Sequence, residues 1–427
     1  MSDEPLRAFL GSARLTGALT TGALLLAMLV FPLERLIGTP GITAAVGTAL
    51  GLMTVNFVVR RRDLEWRGLP PLSLLVFLVW TVVSLVWSQY QWATLGGLAS
   101  LAAFTAIGLY IAVSRDMIQI IRSLGDALRI VLFASLVLEI FAGVILDAPI
   151  PSLGIGGRIA ELGPVSGLAP NANQFGWLAV VGVVTFAIEM RTRSVPRALG
   201  VLSLVVAAAS LLLTRSPIVA LTTVIVGIAG ALLSGIRRVR PEHRRYWQIT
   251  VLGLTIVAVA VGWVFRGRLV ALFNASGQLD YRLALWDRIQ ALLDRNALQG
   301  WGWIGRWHVD LPPYLALQTP GDRQATSALN AFLDVWLQVG LVGLLLFAGA
   351  LGLAFIRSWL LAGRRRSVVY AWPAVVLVGI MVLAMAESTL LHGIGWLVFV
   401  VCCVKASQEQ AWRSALVAPD RLPDATP

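Results

Sequence analysis

The feature that most constrains this chain is a succession of apolar runs, most of them near the length of about 20 residues that a helix needs to cross a bilayer core. They lie near 17–33, 41–59, 70–87, 95–113, 127–146, 171–189, 198–213, 217–235, 247–265, 328–356, 368–385 and 388–404. Lipid offers backbone amides no partner, so each run has to satisfy its own hydrogen bonds as a helix. The alternating segments of about ten residues that mark an outer-membrane barrel are absent. Of the 427 residues 58% are hydrophobic and only 13% charged, against about 25% charged in a soluble domain, which excludes a soluble fold. The expected fold is all-α and integral to the membrane, with about 12 transmembrane helices.

The net charge of +12 raises nucleic acid as a partner, but the arginines gather between apolar runs, where they orient a chain in a membrane; no nucleic acid is expected. Counted across the alternating spans, 24 of the 34 basic residues fall on one side. That side holds Arg7, Arg14, the group from Arg60 to Arg67, Arg115, Arg122, Arg129, the groups after 190, 236 and 356, and Lys405, Arg413 and Arg421. The other side holds ten: Arg35, Arg158, Arg215 and seven in one long loop. The positive-inside rule makes the first side cytoplasmic, with both termini inside and the loop outside the cytoplasm of a bacterial inner membrane. The first apolar run lacks a small-residue cleavage motif and reads as a retained span. The adjacent Cys402 and Cys403 sit in the last apolar run and read as core residues, not as a disulfide or metal pair.

The expected organisation is a bundle of about nine spans over 1–265, an extracytoplasmic loop over 266–327, three spans over 328–404 and a disordered cytoplasmic tail over 405–427. A structureless loop as long as 266–327 is unusual, so it is expected to carry structure of its own. Leu279 to Asn296 reads as an amphipathic helix with Leu279, Leu283, Trp286, Ile289 and Leu293 on one stripe. The run Gly300-Trp301-Gly302-Trp303-Ile304-Gly305 ends it, and its aromatics suit a membrane interface or a sugar ring. A second outside segment, 147–170, is rich in glycine and proline.

Basic residues that break the charge bias are the most informative. Arg215 lies in the short junction Leu213-Thr214-Arg215-Ser216-Pro217, at or inside the outer membrane face; it is a functional candidate, or else a snorkelling anchor. Arg282, on the loop helix, offers the planar fork that matches phosphate oxygens, and with Arg215 it forms a candidate diphosphate clamp; the alternative is a surface ion pair with Asp280 or Asp287. Arg158 follows a Gly-rich stretch, and Asn173 opens a span as a sugar ligand or a helix cap. Asn330 and Asp334 share a helix face, with Asp334 either orienting an acceptor hydroxyl or pairing with an arginine. Arg306 and Glu387 are further substrate-binding candidates near the outer face, and His308 on the loop is a candidate base. No Gly-rich phosphate cradle with its lysine and no Asp-x-Asp outside the membrane is present, so neither a metal ion nor a cofactor is expected.

These residues resemble the O-antigen ligase and O-antigen polymerase family, membrane glycosyltransferases that use polyprenyl-diphosphate-linked glycans. Trp87-Ser88-Gln89 with Ala93-Thr94-Leu95 is similar to the family's connection between its third and fourth spans. The run from Gly167 to Asn173 resembles its Gly-x-x-x-Asn-x-Asn helix start, and Thr214-Arg215-Ser216 its Ser/Thr-Arg junction. The longest likeness runs from Tyr281-Arg282-Leu283 through Gly300-Trp301-Gly302 to Asn330-Ala331-Phe332-Leu333 and Gln338-Val339-Gly340. The resemblance implies a GT-C-type helical fold and places diphosphate binding on Arg215 and Arg282. It implies an undecaprenyl-diphosphate-linked oligosaccharide as donor, an acceptor glycan, and other polysaccharide assembly proteins as partners in the bilayer. The ligase branch often carries a histidine where this chain has Leu329, a departure that favours a polymerase, with His308 or Asp334 as substitutes for the missing base.

Overall fold

Each apolar run within the described residues forms a helix, and several begin on a polar cap just ahead of the run. The computed structural model describes residues 3–61, 71–243, 246–247, 253, 276–318 and 324–408. After a short α1 (Asp3–Leu10) come α2 (Ala13–Met28), α3 (Val30–Arg60), α4 (Leu72–Val83), α5 (Gln91–Ser114) and α6 (Met117–Ile140). Then follow α7 (Ala172–Thr192), α8 (Arg197–Leu213), α9 (Pro217–Arg238), α10 (Ser276–Leu293), α11 (Ala331–Arg364), α12 (Ala371–Ala384) and α13 (Gly393–Gln408). Ser12, Asn171, Ser216 and Asn330 each accept a backbone N–H of the first turn that they precede, satisfying donors a helix start leaves open.

Six of these helices are long and apolar enough to cross a membrane, and five shorter apolar ones accompany them. No β-strand occurs among the described residues, only one isolated bridge between Ile150 and Ile155. Apart from residues 247 and 253, the expected span near 247–265 lies outside the described residues, as does the tail beyond 408. Helix α13 is buried on all sides from Ile394 to Val404, which makes it the centre of the bundle. Around it, α4, α8 and α9 turn Val79, Val82, Leu202, Val205, Val224 and Ile228 outward, the apolar surface a bilayer would cover. Cys402 and Cys403 are free and buried in α13.

Contacts sort the helix ends into two faces. The starts of α3 and α5 meet the loop, through Glu34 with Arg306 and Trp92 with His308. At the opposite end, Arg237 from the end of α9 donates to the carbonyls of Ala362 at 2.9 Å and Arg366 at 2.5 Å. Arg129, counted with the cytoplasmic arginines at the start of the expected span near 127–146, lies deeper in a helix than that count implies. Helix α6 starts at Met117, so Arg129 lies within it and donates to Asp126 at 2.7 Å, Ser203 at 2.8 Å and the buried Glu189 of α7. That pair clasps α6, α7 and α8, and removing one partner would strand a buried charge.

The long α11 is broken at Val339 and Gly340, where Gly340 adopts φ 70°. A break within an apolar helix frees backbone groups that lipid cannot satisfy, so protein must do so. Here the loop and α4 do it: Trp301 N–H donates to Leu337 O at 3.0 Å and Gly302 N–H to Gln338 O at 2.8 Å from the loop, and Trp80 Nε1 of α4 to Val339 O at 2.8 Å. Leu341 N–H in turn donates to Ala297 O at 2.8 Å. The Gly-Trp-Gly-Trp run is therefore a backbone splint for α11, and for the buried Trp303 the reading as a sugar platform or interface anchor is corrected. Trp303 is buried edge-on against Phe77 at 6.1 Å between ring centroids. A Cβ on Gly340 would stand 2.0 Å from Leu298 O. Gly340→Ala is expected to lower stability by about 3 kcal/mol or more, from the left-handed backbone and the clash together, seen as a fall in the thermal midpoint of the detergent-solubilised protein.

The segment between α6 and α7 is tied down by a buried carboxylate. Glu139, near the end of α6, accepts N–H groups of Arg158 and Gly167 at 3.2 Å each, and Ser135 accepts Leu168 N–H at 3.1 Å. Val165 N–H reaches Leu213 O at 2.9 Å, so this segment packs onto the α8–α9 junction that carries Arg215.

Candidate functional site

Helix α10 lies over the start of α11 and the segment between α12 and α13, on a small core of its own made by Leu285, Ile289, Leu293, Trp307, Tyr314 and Leu317. Its buried stripe differs from the expected one: Arg282, Leu285, Ile289 and Leu293 face inward at helical spacing while Leu283 is exposed. Leucines occur on both stripes, so periodicity alone could not choose the rotation; the partners of Arg282 and Trp286 do. Trp286 Nε1 donates to Ala328 O at 2.8 Å.

Arg282 is only 7% exposed. Its Nη2 pairs with Glu387 Oε1 at 2.9 Å, and its Nη1 donates to the carbonyls of Leu329, at 3.0 Å, and Ala386. The expected alternative of a surface ion pair with Asp280 or Asp287 is corrected: the partner is Glu387, 105 positions away and itself buried. A buried ion pair keeps its charge more easily when further hydrogen bonds support it, and here Asn173 adds one to the same Glu387 oxygen. Asn173 Nδ2 donates to Glu387 Oε1 at 2.5 Å, and its Oδ1 accepts from Ser216 Oγ at 2.6 Å. Asn173 is thus not the helix cap; Asn171 is, accepting Gln174 N–H at 2.8 Å. Ser216 caps α9, receiving Val219 N–H at 3.2 Å, with Pro217 at the first helical position.

Arg215 is the residue before Ser216. Its backbone has φ 47°, uncommon for a residue other than glycine, and its side chain is exposed with no ion pair among the described residues. Three hydrogen bonds, Ser216 to Asn173 to Glu387 to Arg282, connect the two arginine-bearing elements at the loop end. One arginine is open to solvent and one is locked.

The other candidates fall elsewhere. Asp334 is 0% exposed and accepts from Trp307 Nε1 at 2.8 Å, Gln338 Nε2 at 2.8 Å and Ala328 N–H at 3.2 Å. It pairs with no arginine among the described residues and meets no opening to an acceptor, so both expected roles give way to anchoring the loop. Burial, then the nearby Asp334 carboxylate, pushes the Tyr314 phenol well above its usual range, so it stays neutral. Asn330 is the cap of α11, its Oδ1 accepting Phe332 and Leu333 N–H at 3.0 and 3.1 Å, and so is not on a helical face with Asp334. Arg158 is exposed and held through its backbone. Arg306 pairs with Glu34 at 3.3 Å on the surface, where such a pair stabilises little. His308 packs edge-on against the exposed Trp92, ring centroids 5.3 Å apart.

Sequence reasoning missed Ser216, Gln338 and Glu139. Gln338 joins the loop to α11 by accepting Ile304 and Gly305 N–H at 2.9 Å each. Its signal was a lone amide inside an apolar run, where an unpaired polar group is costly. His392, placed inside the last expected span, stands at its outer end beside Gly305, with Nε2 buried and unpartnered.

Residues 201–348 match the family model described as O-antigen ligase. That segment is similar to the O-antigen ligase and polymerase family. This is a family of glycosyltransferase-like membrane proteins that work with lipid-linked glycans. No curated protein shows significant similarity to the chain. Arg215, Ser216 and Arg282 lie inside the matched O-antigen ligase segment; Asn173 and Glu387, which join them, come from either side of it. These residues come from α7, the α8–α9 junction, α10 and the segment between α12 and α13.

Proposed function

We propose that this O-antigen ligase-type protein is an inverting, metal-independent glycosyltransferase that polymerises glycan repeat units carried on undecaprenyl diphosphate, for cell-surface or exopolysaccharide assembly. In this reading it has about twelve GT-C-like spans in the inner membrane, both termini in the cytoplasm, and the loop outside. The observation that carries it is the hydrogen-bonded run from the Arg215 turn to Arg282, which brings a free cation and a rigidly held one to the same end of the bundle.

Charge builds on the diphosphate as its bond to the anomeric carbon breaks, and fixed cations stabilise charge that develops in a transition state. Arg215, unpaired, meets the diphosphate directly. Arg282 uses three of a guanidinium's five N–H donors on protein acceptors, which fixes the direction of the remaining two. The acceptor hydroxyl attacks from the opposite face, which inverts the anomeric carbon; the bonding pair leaves with the phosphate oxygen and the hydroxyl proton passes to His308 or solvent. Asp334 serves the loop. Leu329 favours a polymerase over ligation to a surface acceptor: at the ligase histidine's position it contributes a backbone carbonyl to Arg282 and no titrating side chain.

Gene deletion followed by sizing of the surface glycan tests this. Single repeat units are the expected product; full-length polymer left on its carrier would establish a ligase instead. Purified protein given a lipid-diphosphate glycan is expected to release the lipid diphosphate, whereas intact substrate would indicate a transporter.

A further inference from the structure

The end of the bundle opposite the loop carries a second pair of converging guanidinium groups. Arg60, in the last turn of α3, donates from Nη1 to Thr16 Oγ1 at 2.8 Å. Arg115, just past the end of α5, lies over Gly17, where a Cβ would stand 3.3 Å from its Nη2. Two cations from different helices therefore rest on consecutive residues of one turn of α2. Neither takes part in an ion pair among the described residues. The nearest carboxylate in sequence, Asp116, caps α6 in a capping box with Gln119, and the exposed Arg122 adds a third positive charge on that side. Arg115 Nε and Ser114 Oγ are buried with no hydrogen-bond partner.

The groups beneath the pair are neutral donors and acceptors that set its geometry. Tyr110 OH donates to Asn56 Oδ1 at 2.7 Å, and Asn56 Nδ2 donates to Leu10 O at 2.6 Å. Among the described residues the Asp116 carboxylate is the acidic group that acts on Arg115, and no ion pair offsets the two adjacent positive charges. Burial, then the Arg60 charge, pushes the Arg115 guanidinium below its usual range. Arginine does not give up its proton in proteins, so the repulsion persists until an anion enters. Paired planar forks fit tetrahedral phosphate oxygens, and the amide end of α2 adds partial positive charge.

What lies beside the cluster identifies the bearer of that phosphate. Phe9 on α1 and Val55, Val58 and Val59 on α3 are exposed, and Gly11 brings α1 against Val59 and the Arg60 stem. Apolar surface next to a phosphate site suits acyl chains; a free phosphate would have no use for it. We propose that Arg60 and Arg115 form a binding site for the phosphate headgroup of an anionic phospholipid, at the membrane face remote from the Arg215–Arg282 site and independent of its chemistry.

The test is native mass spectrometry of the full-length protein with phosphatidylglycerol or phosphatidylcholine, beside an Arg60→Gln/Arg115→Gln variant. Wild type is expected to retain phosphatidylglycerol about tenfold or more over phosphatidylcholine, and the variant to fall to near parity. An undiminished preference in the folded variant overturns the proposal. Should the variant not fold, wild type alone decides, because equal retention of the two lipids also overturns it. Loss of the bound lipid to millimolar inorganic phosphate, with no difference between lipids, would make this a free-phosphate site and refute the lipid assignment.

Discussion

Arg215→Ala is expected to reduce release of lipid diphosphate by a factor of about 10² to 10³, with the protein still present in the membrane at its normal level. The side chain is exposed and has no ion pair, so its removal opens no cavity and strands no charge. The positive φ at 215 strains alanine no more than arginine, and the cap on α9 belongs to Ser216. What disappears is a cation with no ion pair among the described residues, beside the run to Arg282. Arg215→Lys should recover part of the rate, since a compact ammonium keeps the charge but loses the bidentate fork. Single-turnover assays on a synthetic lipid-diphosphate glycan measure this; a rate for Arg215→Ala close to wild type would remove diphosphate stabilisation from the account.

Arg282→Ala should fail for two reasons that a paired variant can separate. Removing the guanidinium leaves Glu387 buried with Asn173 as its remaining partner and leaves the Leu329 and Ala386 carbonyls without that donor. Breaking a buried pair from one side costs about 3–5 kcal/mol, whereas replacing both ions by apolar groups of similar size is often neutral or better. Thermal unfolding in detergent should therefore show Arg282→Ala strongly destabilised and Arg282→Met/Glu387→Met restored to near the wild-type midpoint. Transfer should stay absent in the restored protein. Activity returning with stability would confine Arg282 to holding the loop in place.

Helix content and order were legible because the bilayer imposes them: with no solvent for backbone amides, apolar length translates directly into helices. The helix starts near 171 and 217 were readable from where the apolar runs begin, but their caps were not: Asn171 caps where Asn173 was expected to, and Asn330 caps α11 instead of sharing a helix face with Asp334. The conspicuous Arg215 and Arg282 were found because a charge at a span junction, or on a loop helix rich in apolar residues, needs a reason to be there. The roles of Asn173, Asp334 and the Gly-Trp-Gly-Trp run were not legible. A carboxylate one turn into a span reads the same whether it faces an arginine, a substrate or, as Asp334 does, an indole and an amide.

The sequence by itself determined that this chain lives in a membrane as a set of helices and that a few arginines break its charge bias, since both are properties of local composition against a nonpolar solvent. Only the tertiary structure decided that Glu387, not a neighbour on its own helix, holds Arg282, and that the loop repairs the break in α11. Those pairings join residues tens to hundreds of positions apart, and they are selected by which buried valences must be met once the helices pack, a condition no local pattern records.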